Sequence, residues 1–445
     1  MKSRLIQAFA FLLVLLLHIN CKSSNAIITY ASRTLTNEGN IRIDSTSFRG
    51  GFTACEPSIC ISPADPNVIV AGAILNNAYR SEDGGRSWSK QTLTSSMGVY
   101  GDPVIRADMD GQFYYAHLSD PENAPYRSEG FLDRIVVQTS RNNGKTWSDG
   151  NHPAIRENKD QDKQWMAIDP QSNHMYMTWT EFDKYGSKNP EDKSRILFSK
   201  TMDRGTSWTE PLAINQYDGD CVDSDLTTEG AVPAVGPNGE VYVTWGFDHK
   251  LYFDKSMDGG QTWMDQDRVV ADQFEGWDLS VPGFGRVNGM PVTEVDLSQG
   301  PYKGRIYINW ADQRNGTDDT DIWIISSDNN GDTWTTAHRV NDDDTGKHQF
   351  FSWMDVDPHT GYVYIVFYDR RHHVDNKTDV YLAYSTDGGQ TFTNQKINET
   401  SFTPDSKVFL GDYNDISAYG NRIRPIWTQM DEGGTSIWTS LLKMK

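Results

Sequence analysis

The chain has 445 residues and a formal net charge of −20 at pH 7, with 23% charged, 37% hydrophobic and 12% aromatic residues. So acidic a balance, with no basic run to offset it, excludes nucleic acid or an anionic membrane surface as the main partner. Short aromatic strands punctuated by Gly and Asp, with no amphipathic helical stretch, predict an all-β chain that forms one domain despite its length.

At the start, Lys2 and Arg4 precede an apolar run over residues 8–17, too short to span a bilayer comfortably and suited to an export signal. Cys21 follows almost at once. This resembles a bacterial lipoprotein signal over residues 1–21, although His18, Ile19 and Asn20 depart from the usual cleavage box and leave simple secretion open. The expectation is an exported protein of the cell envelope, held to the membrane only by a lipid on Cys21. Residues 22–45 then read as a tether and a closing strand, and residues 46–445 as the folded domain. Of the remaining cysteines, Cys55, Cys60 and Cys221, at least one is unpaired, and a bond from Cys221 to either of the others is the plausible disulfide.

Seven pairs of strands follow in order. The first of each pair begins near Glu56, Asp102, Asp162, Glu229, Met290, Gln349 and Asp412. The second strands read NVIVAG, QFYYAH, HMYMTW, EVYVTW, RIYINW, YVYIVFY and RIRPIW. Interleaved with them, one octapeptide recurs six times: SEDGGRSW, SRNNGKTW, TMDRGTSW, SMDGGQTW, SDNNGDTW and STDGGQTF, with starts 59, 61, 55, 71 and 58 residues apart. That period suits a four-stranded propeller blade. Asp or Asn followed by Gly holds a tight turn, and the closing aromatic is expected to begin the next strand and wedge between sheets. The last pair has one further strand, TSIWTSLL, so its fourth is expected from residues 26–44, as IITYAS or NIRID.

On these octapeptides the chain resembles the Asp-box, or bacterial neuraminidase repeat, proteins of the sialidase-like β-propeller superfamily. The resemblance implies a β-propeller of four-stranded blades. The strand pairs favour seven, with six, the sialidase number, as the alternative. The repeat occurs in hydrolases and in non-catalytic propellers alike, so it says little about function.

In such a blade the octapeptide turns lie on the face opposite the start of the innermost strand. The funnel mouth therefore gathers Glu56, Asp102, Asp162, Glu229, Gln349 and Asp412, together with Asp312, Arg314, Asp369, Arg370, Arg371 and His372 from the second-strand ends. Facing carboxyls raise one another's pKa, which keeps one protonated as a general acid beside an ionised partner. The resemblance to sialidases implies arginines on a substrate carboxylate, a tyrosine nucleophile with a glutamate, and an aspartic acid–base. Asp162, Glu229, Asp412 and Tyr413 are the catalytic candidates, and Arg314, Asp369, Arg370, Arg371 and His372 the binding candidates. Arg49 stands in SFRGGF, where a sialidase would show F/Y-R-I-P. The DQR and DRR runs are equally well explained as Asp-to-Arg pairs bridging blades. Trp165 and Trp353 are expected in the core.

The function expected is a carbohydrate-active enzyme on acidic oligosaccharides of sialic or uronic acid type, most simply a sialidase-like glycoside hydrolase. One alternative is β-elimination from uronates, with Tyr368, Tyr413 or His372 as base and acid. Another is a propeller that only binds glycan or protein. No cofactor is called for. A lone structural calcium on acidic loops such as residues 318–321 is left open.

Overall fold

A computed structural model of the protein describes residues 33–47, 52–120, 130–431 and 433–445. The segment expected to be an export signal, Cys21, the IITYAS segment and Arg49 lie outside them. Residues 35–445 form one compact unit of seven antiparallel sheets. The innermost strands are Ser58–Ile61, Val104–Ala107, Asp160–Ile168, Glu229–Val235, Val292–Val295, Gln349–Val356 and Asp415–Tyr419, defining blades 1 to 7. Each touches the next and the seventh returns to the first, so the sheets close a ring. This is a seven-bladed β-propeller. Six sheets have four strands. Blade 2 has three, with a single bridge between Val137 and Asn151 where the fourth would run.

The second strands are near-continuous apolar runs because both their faces are covered by neighbouring blades. In blade 3, Met175–Phe182 is buried throughout. Trp179, Trp245, Trp310 and Trp427 hold corresponding positions in four such strands and are at most 2% exposed. Blade 7 is completed from the other end of the chain: Leu35–Ser47 pairs antiparallel with Gly434–Met444, Ile41 opposite Thr439 and Asp44 opposite Ile437. NIRID is thus the closing segment.

All six octapeptides adopt one geometry. In residues 256–263, Ser256 Oγ donates to Asp258 Oδ1 at 2.7 Å and accepts the Gly260 amide at 2.7 Å. Asp258 also accepts the Thr262 amide at 2.9 Å and its hydroxyl at 2.6 Å. Gly260 has φ +78°, and a Cβ there would stand 2.3 Å from the Phe198 ring of blade 3. The aromatic wedges between sheets as expected, with Trp263 edge-on to Phe198 at 4.9 Å and Trp334 to Phe253 at 5.1 Å. It does not begin a strand in every blade, however. The fourth strand starts one residue after Trp88 and Phe392 but four or five after Trp208, Trp263 and Trp334, because the octapeptide exits as an irregular turn, and after Trp147 in blade 2 there is only the bridge at Asn151. The rings are also only half-buried. Trp263→Ala is therefore expected to destabilise by about 2 kcal/mol, below the 3–5 typical of a fully buried Trp. Denaturant unfolding checks this, and a loss of activity at unchanged stability would contradict the structural role.

The disulfide expectation fails. Cys55, Cys60 and Cys221 are all buried free thiols. Cys55 sits beside Glu56 at one end of the axis, Cys60 lines a space at the other end, and Cys221 lies in the loop beyond blade 3 near the Asp183 and Lys184 backbone. Three thiols so placed have no partner within disulfide reach.

Candidate active site

The start of each innermost strand carries an irregularity that decides what faces the axis. Glu56, Asp102, Lys163, Gly230 and Phe351 occupy corresponding positions in five blades, and all have φ between +48° and +75°. In blades 3, 4 and 6 the pairing register slips there. A bulge with one left-handed residue re-aims side chains, and a non-glycine residue held so is a strain of the order of 1 kcal/mol that such sites retain.

These bulges bring Glu56, Asp102, Asp162, Lys163 and Asp412 to one pocket of about 210 Å³, with Tyr185 and Arg286 on its wall and Phe52, Tyr100, Phe131 and Phe409 around its mouth. Gly411 is required beneath it, since at φ +102° a Cβ would stand 2.5 Å from Glu56 Cγ. Asp412 is the hub. It accepts from Lys163 Nζ at 2.8 Å and, bidentately, from Arg286, whose Nε lies 2.8 Å from Oδ1 and whose Nη2 meets Oδ2. Arg286 Nη1 also donates to Asp223 Oδ2 at 2.7 Å, which takes the Tyr185 hydroxyl at 2.8 Å. Burial opposes ionisation of both carboxyls, but these two cations outweigh it and hold Asp412 and Asp223 below the usual carboxylate range.

The other carboxyls have no cation of their own. Burial raises Asp162 to about 8, with Lys163 opposing and Asp102 and Asp223 adding repulsion. Burial and the Asp412 charge raise Glu56 to about 7. Asp102 and Glu229 are pushed well up, by burial first and then by Glu56 and Asp223 respectively. Glu229 is wholly buried beside Asp223, whose charge adds to the burial that holds its carboxyl well above the usual range. Neutral and ionised carboxyls thus stand side by side in one pocket, which is the condition for acid–base work at neutral pH. Asp412→Ala would leave the buried Lys163 ammonium without its carboxylate and the partly exposed Arg286 with Asp223 alone. A loss of about 3–5 kcal/mol is expected, measured by chemical denaturation, and a change under 1 kcal/mol would contradict the role as hub.

Other expected residues go elsewhere. Arg314 pairs with Asp312, Nε to Oδ1 at 2.9 Å, and lies 4.0 Å over the Trp323 ring. Arg371 pairs with Asp369 at 2.8 Å and lies 4.4 Å over Tyr381. These Asp–Arg pairs form within one turn of one blade, and each arginine also reaches toward the blade before it, Arg314 to the Asp272 carbonyl of blade 4 and Arg371 to Asp342 in the connection from blade 5. Arg370 donates to Thr378 and to the Pro282 carbonyl between the rings of Phe284 and Phe350. His372 is exposed near Tyr381. None of them lines the pocket, because a second strand stands one strand spacing, about 4.8 Å, farther from the axis. Gln349 is out by one position: Trp353 corresponds to Trp165, so Gln349 matches Gln161, and blade 6 offers Phe350 and Phe351 to the axis instead of a carboxylate.

Tyr413 packs edge-on to Trp165 at 5.0 Å, beneath the pocket. Burial, followed by Asp102 and Glu56, raises its pKa well above the usual value. A phenol held neutral is the opposite of an activated nucleophile. Tyr368 gives its hydroxyl to the Thr428 carbonyl in the core, which removes it as a base. Trp165 and Trp353 are buried as expected. In the 318–321 segment Asp321 is engaged by Asn315 and Asn341, and no carboxylate group fit to hold a metal occurs among the described residues.

Lys163, Asp223, Tyr185 and Arg286 escaped the sequence reading. Arg286 lies between Asp272 and Val292, the connection that stretches the fourth octapeptide spacing to 71 residues. That excess was the available signal, since long loops on a rigid scaffold carry function.

No protein-family model matches the sequence. Among solved structures, a polysaccharide lyase PL25 ulvan lyase has a TM-score of 0.52 at 11% identity, covering 90% of this chain and 95% of that one. The NanB sialidase from Streptococcus pneumoniae has 0.51 at 10%, covering 84% and 83%. A protein of unknown function from Dyadobacter fermentans has 0.50 at 15%, covering 92% and 99%. These solved structures share the β-propeller fold of this chain. At such identities the likeness extends to the fold alone, and the chemistry of this propeller rests on its own residues.

Proposed function

We propose that the axial pocket is the active site of a carbohydrate-active enzyme, a glycoside hydrolase working on acidic oligosaccharides of sialic or uronic acid type. The observation that carries this is that Asp162, which burial raises to about 8, shares one pocket with Asp412, held low by Lys163 and Arg286, while Asp223, also held low, stands behind the pocket wall on Arg286 and Tyr185. Asp162 is the general acid that protonates the leaving oxygen, and Asp223 is its ionised partner. Asp412 is saturated by two cations and orients them. Arg286, its side chain 32% exposed, offers its remaining N–H donors to a sugar carboxylate, and Lys163 adds charge. Phe52 and Phe409, 56% and 38% exposed at the mouth, suit the apolar face of a sugar ring.

A second reading is favoured by the Tyr185 hydroxyl on Asp223 beside Arg286: β-elimination from a uronate, with Arg286 on the carboxylate and Tyr185 moving the proton. A propeller bound to ulvan-type -[GlcA(1-4)Rha3S]- has this fold. The experiment is incubation with sialylated, uronate-containing and sulfated oligosaccharides. Release of a saturated sugar supports hydrolysis, a new ultraviolet-absorbing double bond supports elimination, and binding without turnover overturns the enzymatic reading. Export with a lipid on Cys21 belongs to the same proposal, supported by the charged, apolar and Cys order of residues 2–21. Fatty-acid labelling of the whole chain that persists in Cys21→Ser would refute it.

A further inference from the structure

The axis holds a second space at the far end of the innermost strands. Trp165 and Trp353 meet across the axis at 4.3 Å and, with Tyr413, form an aromatic layer, Trp165 standing on its strand between Lys163 of the active-site pocket and Met166 of the second space. Beyond them a chamber of about 370 Å³ is lined by all seven innermost strands and opens on the octapeptide face, where Met109 and His359 are exposed. Its walls are largely apolar, with Ile61, Met166, Val235, Val295 and Met354 among them.

Set into those walls are Arg106, Glu294 and Asp355, with Asp415 behind them. Asp415 is satisfied by Ser58 Oγ at 2.7 Å and by the Ile59 and Ile416 amides, and stands 3.8 Å from Arg106 Nη1. Arg106 otherwise donates to the Met166 and Ile105 carbonyls. Asp355 receives one amide, from Ala418 on Oδ2, and Glu294 only that of Val295. One guanidinium therefore faces three carboxyls. Burial, with repulsion between Glu294 and Asp355, pushes Glu294 well up, while burial with the Asp415 and Asp357 charges pushes Asp355 to about 7. The chamber is short of positive charge and of hydrogen-bond donors.

We propose that this chamber binds a small organic cation, a protonated amine on an apolar body, with the ammonium on Glu294 and Asp355 and the body against Met166, Val295 and Met354. The ammonium supplies the donors and the charge that the two carboxyls lack. An anion would meet three carboxyls, and a metal ion finds no fitting ligand group among the described residues. The volume lies at the low end of small-molecule sites, roughly 300–1,000 Å³. The Trp165, Trp353 and Tyr413 layer separates the chamber from the funnel, and the two spaces share no lining residue.

The test is calorimetric titration of the full chain with benzylamine, its neutral isostere benzyl alcohol, and benzoate. One benzylamine per chain is expected, with benzyl alcohol about tenfold weaker or more, as for loss of a charged hydrogen bond, and no binding of benzoate. Glu294→Gln and Asp355→Asn should each weaken benzylamine by a similar factor, while Asp162→Asn in the funnel leaves it unchanged. Absence of benzylamine binding, equal binding of the alcohol, indifference to both chamber substitutions, or loss in Asp162→Asn would each overturn the proposal. The amine-to-alcohol comparison on the unsubstituted chain decides if a variant does not fold.

Discussion

Removal of residues 1–46 will abolish cooperative folding of the propeller. The lost strand supplies the outer edge of blade 7, paired with Gly434–Met444 from Leu35 opposite Met444 onward. It also ties three blades together. Asp44 accepts the Tyr79 hydroxyl at 2.6 Å and Lys90 Nζ at 2.6 Å in blade 1. Asn37 and Asn40 both donate to the Ile397 carbonyl beyond blade 6. Without them blade 7 is held to blade 1 by the innermost strands and by the Arg422, Arg424 and Thr435 bonds to the Pro66, Gly84 and Ala54 carbonyls, and the bared backbone of Gly434–Met444 becomes an open sheet edge that invites aggregation. Chemical denaturation and gel filtration are the measurements. A monomeric truncated protein with an unchanged unfolding midpoint would show that the strand does not close the ring.

Replacing Asp162 by Asn is expected to lower kcat/KM by about 10²–10⁴-fold on the substrate that the oligosaccharide panel identifies, the usual scale for loss of a general acid. The pH dependence follows from the same group. Activity that needs protonated Asp162 is lost as pH rises through about 8, and Glu56 contributes from about 7. Asp412 and Asp223, held low, lose their charge only below the usual carboxylate range, so the acid limb lies far down. Stability moves with it. Between about pH 4, where an unfolded Asp titrates, and about 8, the folded protein keeps a proton that the unfolded chain has released, so stability falls as pH rises. Asp162→Asn should flatten that fall and gain stability at pH 9 relative to pH 5. An alkaline limb and a stability slope unchanged in the variant would remove Asp162 from the role.

The chain by itself determined the architecture. A turn that bonds its own Ser, Asp and Gly is local chemistry, so six spellings of it, together with seven apolar second strands, announce the propeller, favour seven blades and place the closing strand near the N-terminus, leaving the pairing itself to choose NIRID over IITYAS. It also determined that Asp162, Glu229 and Asp412 approach the axis, because the start of an innermost strand has no other place to be. Their tasks were a tertiary matter. Tyr413 and Glu229 are expected at the site from the resemblance of the sequence, yet one packs edge-on to a Trp ring and the other is buried beside Asp223. Arg314, Arg370 and Arg371 look like carboxylate binders in the sequence, but each is consumed near its own blade by an Asp, a hydroxyl, a carbonyl or an aromatic face. The cations that reach the pocket, Lys163 and Arg286, come from a bulge and from an inter-blade loop. Whether a charged side chain is available depends on which opposite charge lies within about 4 Å and how much water is excluded, and those distances join residues as far apart as 163, 223, 286 and 412. Spacing along the chain carries no record of them; only the closed ring sets them.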